Sequence, residues 1–249
     1  QTLYLRIADE LYLKRLIIGG FEKVYEIAKN FRNEGMDKNH NPEFTSLEFY
    51  AAYADVYSMM DITESLIKSV AKQVDSLTID YDENQINLEI PFEKKSMFDL
   101  IEEYTGVNIS GMDIKDLIKL VSSRNIELIP GMNYGQLIDK LFGEIVEPNL
   151  IMPTFVLDYP VSMSPLAKKK RDGSDDFVER FELFICGMEF ANSFSEQNDP
   201  QEQKSRFIDQ TVLREEGDEE AHIYDENFIQ AMEVGMPPTG GVGIGIDRL

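Results

Sequence analysis

Residues 31–50 read FRNEGMDKNHNPEFTSLEFY, and this stretch decides the fold. A run of β-branched and aromatic residues at 23–32 leads into it, and a second such run follows at 44–53. The polar residues between them, 33–43, include a glycine and a proline, which favour a loop. The pattern therefore predicts two antiparallel strands joined by a long connection, and connections of this length are often functional.

Regular elements are also predicted on both sides of these strands. Towards the amino terminus, the patterns indicate a strand at 3–8 and a short helix at 10–18. Towards the carboxyl terminus they indicate helices at 56–75, 98–105, 113–123, 133–147, 199–215 and 225–234, hairpins at 77–91 and 179–195, and strands at 153–159 and 240–246. This order favours an α+β domain with a mainly antiparallel sheet, in which 98–150 form a helical block.

Composition restricts the class of protein. The chain has 249 residues and a net charge of −22, which argues against a general nucleic-acid-binding surface and leaves room for a cationic substrate. One cysteine, Cys186, allows no internal disulfide and fits a reducing cytosol, where we interpret it as a small buried side chain. No apolar run approaches the ~18 residues that span a membrane. The single cysteine predicts a cytoplasmic protein. The charged run at 168–176 predicts a mobile surface loop.

The first candidate site lies around the predicted loop. Arg32 precedes it, and the planar fork of an arginine suits a phosphate or a carboxylate. Phe44, Glu48 and Tyr50 are separated by even numbers of residues, so they share one face of the second strand. The alternative is a strand arginine that pairs with a surface carboxylate.

The second candidate site lies in the predicted hairpin at 179–195. Glu182 and Glu189 could face one another across it, and two adjacent carboxylates repel unless a cation lies beside them. Mg²⁺ would relieve the repulsion, because it prefers oxygen ligands. Asn192, Phe194 and Glu196 alternate with period two and could line one wall of a pocket. The alternative is an exposed hairpin with ordinary acidic residues.

A glycine-rich strand forms the third feature. Glycines at 240, 241, 243 and 245 leave space where a flat ligand or another backbone can approach. The spacing fits neither a P-loop nor a dinucleotide-binding fingerprint. By itself this strand does not distinguish a binding site from close packing.

Together these segments resemble the class II aminoacyl-tRNA synthetases. FRNEG…HNPEFT is similar to motif 2 of that family and GVGIGIDRL to motif 3, at about 31–50 and about 241–249. The runs RIADELYLKRL, FRNEGMDKNHNPEFTSLEFY and FANSFSEQND resemble its lysyl branch. The resemblance implies a class II catalytic domain over 1–249, with a mainly antiparallel sheet flanked by helices. It also implies that motif 1 and an amino-terminal anticodon-binding domain are absent from this sequence.

The resemblance further implies a function and a set of site residues. Its substrates would be ATP and L-lysine, its cofactor Mg²⁺, and its acceptor tRNA(Lys), bound by a full-length homodimer. Arg32 and Arg248 would be catalytic. Contacts to ATP are implied for Arg32, Glu34, His40, Asn41, Phe44, Glu182, Leu183, Gly245 and Arg248. A lysine pocket is implied for Glu10, Arg32, Glu48, Tyr50, Asn192, Phe194 and Glu196. Glu182 and Glu189 would hold the metal.

Physical reasoning agrees with an acidic pocket for lysine. Burial of an unpaired ammonium group is costly, and the pocket glutamates would compensate its charge. We favour Glu196 with Tyr50 as the partners of the side-chain ammonium.

Four other interpretations stay open at this stage. Aspartyl or asparaginyl relatives share the architecture, although an acid-rich pocket suits a cationic substrate better. A paralogue that modifies a protein, or a non-catalytic lysine- or ATP-binding relative, would keep much of the same sequence. An unrelated magnesium-dependent domain would need several separated motifs to coincide by chance.

Overall fold

A computed structural model describes residues 3–33, 35–36, 40–129, 131–215 and 223–249. Within these residues, seven strands form one sheet in the order β1-β2-β9-β8-β7-β6-β5, and β3 and β4 form a separate hairpin. The strands are β1 (Lys23–Phe31), β2 (Glu43–Ala52), β3 (Thr78–Tyr81), β4 (Asn84–Asn87), β5 (Glu93–Ser96), β6 (Thr154–Leu157), β7 (Arg180–Ile185), β8 (Met188–Ser195) and β9 (Thr239–Gly245). Neighbouring strands of the large sheet run antiparallel except β5 and β6. The prediction of an α+β fold with a mainly antiparallel sheet is confirmed.

The helices flank this sheet. They are α1 (Glu10–Ile18), α2 (Val56–Gln73), α3 (Met97–Thr105), α4 (Ile114–Ser123), α5 (Tyr134–Ile145), α6 (Pro200–Glu215) and α7 (Glu226–Gly235). Side-chain caps fix several of their first turns: Asp55 accepts a hydrogen bond from the Ser58 amide at the start of α2, at 3.0 Å. None of the helices in the described residues is long and apolar enough to cross a membrane.

Each face of the sheet is covered differently. On one face, α2 packs against apolar residues of the central strands, including Leu183, Val242 and Ile244. On the other face, α1 lies over β2 through Leu13, Ile17 and Tyr50. The block formed by α3, α4 and α5 packs near the β6–β7 end of that same face. Between α1 and this block, β9 presents glycines rather than bulky side chains.

The predicted strand at residues 3–8 is wrong. The segment lies beside the end of β1, where the Phe31 amide donates to the Arg6 carbonyl at 2.8 Å, but it forms no regular ladder. Leu3, Tyr4 and Leu5 are largely exposed, so the apolar alternation reflects a surface rather than a half-buried strand.

The predicted loop at residues 168–176 is also more anchored than its composition indicated. Arg171 makes two side-chain hydrogen bonds to the buried Glu179, at 2.6 and 2.7 Å. Lys169 forms an isolated bridge with Val178.

Candidate active site

The site is built on three adjacent strands, β2, β9 and β8. Their register places Tyr50 and Phe194 on either side of Gly241, and Glu48 and Asn192 on either side of Gly243. The predicted shared face of Phe44, Glu48 and Tyr50 therefore exists, and β9 forms a floor of glycines beneath it.

Gly241 illustrates why that floor needs glycine. A Cβ atom at this position would overlap the Glu196 carboxylate and the Tyr50 ring. Only the missing side chain lets these two groups meet over the centre of the sheet.

Acidic side chains collect at the α1 end of this floor. Glu196 follows β8 and is 1% exposed, Glu48 on β2 is 8% exposed, and Glu10 begins α1. The Tyr50 hydroxyl donates a hydrogen bond to Glu48 at 3.1 Å. The structure thus brings together four of the residues predicted for a lysine pocket, with one cation, Lys14, between Glu10 and Glu196.

Burial controls the ionisation of these groups. Desolvation, and then the negative charge of Glu10, raise the pKa of Glu48 to about 7. Desolvation also raises the pKa of Glu196, although the Lys14 ammonium opposes the rise. A pocket of this kind is short of positive charge and favours a cationic ligand.

The predicted phosphate end lies along the same face. The Arg32 guanidinium is 5.1 Å from the centre of the Phe44 ring, and its Nε donates to the Ile7 carbonyl at 3.4 Å. At the end of β9, Arg248 donates to the Glu189 carbonyl at 2.6 Å and lies 3.5 Å from His40. Motif 2 and motif 3 residues therefore meet in space.

Glu182 and Glu189 share this region, but not in the predicted register. Glu182 pairs with Asn192 and Glu189 with Phe184, because a bulge interrupts the ladder after Leu183. The extra residue turns Glu189 to the face that carries Glu182. The two carboxylates therefore do not pair directly across the hairpin, but they lie on the same face of the sheet.

These two carboxylates differ in their partners. Glu182 is paired with Arg180 and accepts a hydrogen bond from the Tyr159 hydroxyl at 2.7 Å. Desolvation and the Glu182 charge raise the pKa of Glu189. Desolvation and the same charge raise the pKa of the nearby Glu147 to about 7. Neighbouring carboxylates that repel one another and offer oxygen ligands fit a hard divalent cation.

No group of three or more His, Cys, Asp or Glu side chains arranged to hold a metal occurs in the described ranges. The predicted metal site consequently consists of the pair Glu182 and Glu189, and it stays a prediction.

The other predicted residues have different environments. Asn41 is exposed near His40, and Gly245 lies beside Arg248, whose Cδ would be 3.9 Å from an added Cβ. The Leu183 side chain packs in the core beneath the sheet, so any ligand contact there must come from its backbone. Glu34 lies outside the described residues.

Four residues of the site were missed from sequence. Lys14 lies between the Glu10 and Glu196 carboxylates, and the Arg180 guanidinium is 4.3 Å from the centre of the Tyr159 ring and 5.6 Å from that of Phe194. The Nε of Arg180 also donates to Asn192, at 3.2 Å. The missed residues are Lys14, Glu147, Tyr159 and Arg180. The one available signal was Lys14 itself, since it falls within the apolar stripe of α1.

Comparison with known proteins identifies the family. The family described as tRNA synthetases class II (D, K and N) matches residues 1–249. The chain is 55% identical over 249 residues to a lysine–tRNA ligase of Thermoanaerobacter pseudethanolicus, covering 99% of this chain and 50% of that protein. It is 56% identical over 253 residues to the one from Carboxydothermus hydrogenoformans, with coverages of 100% and 51%. For Christiangramia forsetii, the identity is 52% over 248 residues, with coverages of 99% and 43%.

The chain thus spans about half the length of the curated relatives it matches. The match to the family covers the whole sequence, and the fold and the two motifs agree with it. The chain belongs to the class II tRNA synthetases of the D, K and N type.

Proposed function

We propose that the complete protein carrying this chain is a lysine–tRNA ligase. It activates L-lysine with ATP and transfers the lysyl group to the 3′ end of tRNA(Lys). The observation that carries the proposal is the buried acidic pocket, in which Glu196 and Glu48 lie over the glycine floor at the end of a site lined by Arg32 and Arg248. The names of the relatives support the same substrate.

The pocket orients lysine by its charges. The lysine carboxylate lies towards Arg32, which directly follows β1, because a guanidinium is suited to bind a carboxylate. The aliphatic chain then runs towards the buried end, where Glu196 and Tyr50 receive the side-chain ammonium. Asn192 and Phe194 form the wall supplied by β8.

ATP occupies the other part of the floor. Phe44 stacks on adenine, and Arg248 closes the opposite side of the nucleotide and reaches its outer phosphates. His40, close to Arg248, contacts the same phosphates. Glu34, Asn41, Gly245 and the Leu183 backbone complete the proposed contacts.

The carboxylates of the β7–β8 hairpin would suit Mg²⁺. Glu182 and Glu189 would hold it, because they supply carboxylate oxygens on one face and Glu189 lacks full charge compensation. When bound, the metal neutralises phosphate charge and orients the polyphosphate.

Two displacements make up the proposed reaction. An oxygen of the lysine carboxylate attacks the α-phosphorus, the bond to the bridging β-phosphate oxygen breaks, and pyrophosphate leaves. A hydroxyl of the terminal tRNA adenosine then attacks the lysyl carbonyl, loses its proton and releases AMP. The chain's own residues act by positioning and by charge: Arg32 and Arg248 stabilise the negative charge that spreads over the phosphates, and no covalent enzyme intermediate is required.

Other features of the complete protein follow the same proposal. We expect it to be a cytoplasmic homodimer. Motif 1, which would form the dimer interface, and the domain that would bind the anticodon would belong to other parts of that protein. The net charge of −22 on the present chain supports placing much of the tRNA contact elsewhere.

Amino-acid-dependent exchange between ATP and pyrophosphate tests the proposal on the complete protein. Each standard amino acid is supplied with and without Mg²⁺. Exchange with lysine, lost in Arg32→Ala, is the expected result. Exchange with aspartate or asparagine would keep the family and refute the lysine pocket. Absence of exchange with every amino acid would favour the protein-modifying or non-catalytic interpretation.

A further inference from the structure

Lys14 is among the largest fully buried side chains of the described residues, and it is a cation. Its side chain is 1% exposed. Its ammonium donates to a Glu10 oxygen at 2.5 Å and lies 2.5 Å from Oε2 of Glu196. It therefore bridges a carboxylate at the start of α1 to one that follows β8, far along the chain.

The bridge leaves part of each carboxylate available. The contact with Glu196 uses its Oε2 oxygen, and the other oxygen, Oε1, is buried with no hydrogen-bond partner in the described part of the chain. Glu10 keeps 18% of its side chain exposed, on the open side of the pocket. A ligand can therefore contact both glutamates while Lys14 stays in place. Lys14 does not have to move out of the pocket for the ligand to bind.

We propose that Lys14 is a positioning residue that sets the spacing and the charge of the lysine pocket, and thereby selects lysine over its shorter homologue ornithine. This inference rests on the proposed function. Glu10, at the open side, receives the α-ammonium, and Glu196, at the buried end, receives the ammonium of the side chain. The Lys14 ammonium is 2.5 Å from an oxygen of Glu10 and 2.5 Å from an oxygen of Glu196, so it limits the distance between these two carboxylates. The bridge thereby sets the separation of the two ammonium positions, and we expect ornithine, which is one methylene shorter, to reach both carboxylates less well.

The charge balance supports the same role. Lys14 places a positive charge between Glu10 and Glu196, which offsets part of the negative charge that these carboxylates carry when they bind the two ammonium groups of lysine. Without Lys14 the pocket would carry an excess negative charge, and its glutamates would tend to take up protons instead.

The charged and titratable groups around Lys14 belong to three elements. Glu10 lies on α1 itself, Glu48 and Tyr50 lie on β2, and Glu196 follows β8. Asp9 faces Glu48 and is paired with Arg6. In this set, Lys14 is the cation in direct contact with Glu196.

Lysine-dependent and ornithine-dependent exchange in the complete protein tests the inference. Lys14→Met removes the charge at similar length, and Lys14→Arg keeps the charge but separates the carboxylates with a larger fork. Lys68→Met is the matched control, since Lys68 is a half-buried lysine 2.6 Å from Glu64 on α2, outside the pocket. Circular dichroism and melting temperature confirm that each variant is folded.

Three results are expected if Lys14 has this role. Lys14→Met raises KM for lysine on the order of tenfold or more and leaves KM for ATP unchanged. Its KM for lysine improves as pH rises above neutral, more steeply than in the wild type, because Glu196 then needs a higher pH to ionise. Lys14→Arg keeps the wild-type pH profile but loses much of the preference for lysine over ornithine. This variant therefore tests the spacing of the Glu10 and Glu196 carboxylates even if Lys14→Met does not fold.

The outcomes separate the two proposals. Wild-type protein without lysine-dependent exchange would overturn the proposed function and, with it, this inference. Wild-type exchange, combined with Lys14 variants that match Lys68→Met in KM, pH profile and ornithine preference, would overturn the role of Lys14 alone.

Discussion

Replacing Glu48 by glutamine should stabilise this domain, and increasingly so as pH rises. Glu48 is 8% exposed on β2, where desolvation and the neighbouring Glu10 charge raise its pKa from an ordinary 4.5 to about 7. The unfolded chain ionises this carboxyl near its ordinary pKa, whereas the folded chain resists ionisation until about pH 7. Stability is therefore lost as pH rises from the lower pKa through the higher one.

The pKa shift of Glu48 sets the size of its effect on the free energy of unfolding. Each pKa unit corresponds to about 1.4 kcal/mol, so ionised Glu48 costs the folded state about 3 kcal/mol above neutral pH. Glutamine carries no charge and keeps an oxygen that accepts the Tyr50 hydroxyl hydrogen bond. We expect Glu48→Gln to raise the free energy of unfolding by under about 1 kcal/mol at about pH 5 and by about 3 kcal/mol at about pH 8.

Hydrogen exchange read by mass spectrometry measures this in the complete protein, because peptides from β2 report on this domain alone. Exchange is followed in increasing urea at both pH values. Glu43→Gln is the control, since Glu43 lies on the same strand with its side chain 53% exposed. The reasoning would be refuted if the increase in the free energy of unfolding in Glu48→Gln did not depend on pH, or if it equalled the increase in Glu43→Gln. The same variant should bind lysine more weakly, as expected where a binding site is kept at the expense of stability.

Three further predictions concern other parts of the site. Gly241→Ala should raise KM for lysine by about tenfold or more, measured by pyrophosphate exchange, because its Cβ would displace Glu196. Arg171→Met should lower the domain's free energy of unfolding by about 1 to 2 kcal/mol in urea titrations, because it removes the ion-pair partner of the buried Glu179 carboxylate, although Arg171 itself is 61% exposed. Chelation of Mg²⁺ should abolish exchange, and Glu189→Gln should raise the Mg²⁺ concentration for half-maximal exchange about tenfold or more.

Matched variants show what would contradict these predictions. Gly143→Ala adds a Cβ that meets Glu147 at an ordinary 3.8 Å, so a similar effect on lysine KM would exclude the steric explanation. Lys169→Met removes a cation from the same segment as Arg171, but its partner Asp175 is 88% exposed. Equal destabilisation by the two variants would show that burial of the pair does not matter. An unchanged Mg²⁺ requirement in Glu189→Gln would remove that residue from the metal site.

Local patterns were sufficient for much of the fold. The helix at α1, the hairpin of β7 and β8, and the antiparallel pair β1 and β2 each depend on side-chain periodicity within one segment, which sequence displays directly. The parallel edge strand β5 was missed, because four residues reading EKKS have no strand pattern and gain their order from β6. The strand predicted at residues 3–8 is wrong for the opposite reason: the residues alternate like those of a strand, but the segment forms no regular ladder with a neighbouring strand.

The candidate site was less accessible to sequence, because its decisive contacts join distant segments. Resemblance supplied the positions of Arg32, Glu196 and Arg248, whereas spacing alone left each of them ambiguous. The bulge that turns Glu189 depends on how β8 pairs, and the local sequence does not specify it. Lys14 is four residues after Glu10, a spacing typical of an ordinary ion pair on a helix surface, and only its place in the apolar stripe of α1 indicates burial.

A common principle connects these missed contacts. Carboxylates lie just before β7, on β8 and in the segment after β8, and cations from elsewhere in the chain pair with them: Lys14 with Glu196, Arg171 with Glu179, and Arg248 with Glu189. The match is tight at Glu179, where two side-chain hydrogen bonds from Arg171 and the charge of that arginine lower the pKa of the carboxyl despite burial. It is incomplete at Glu189 and Glu196, whose pKa values burial raises. Incomplete compensation is destabilising, and a bound cation would relieve it. That is the physical reason why the proposed metal and the proposed ammonium group would bind at the two places where compensation is incomplete.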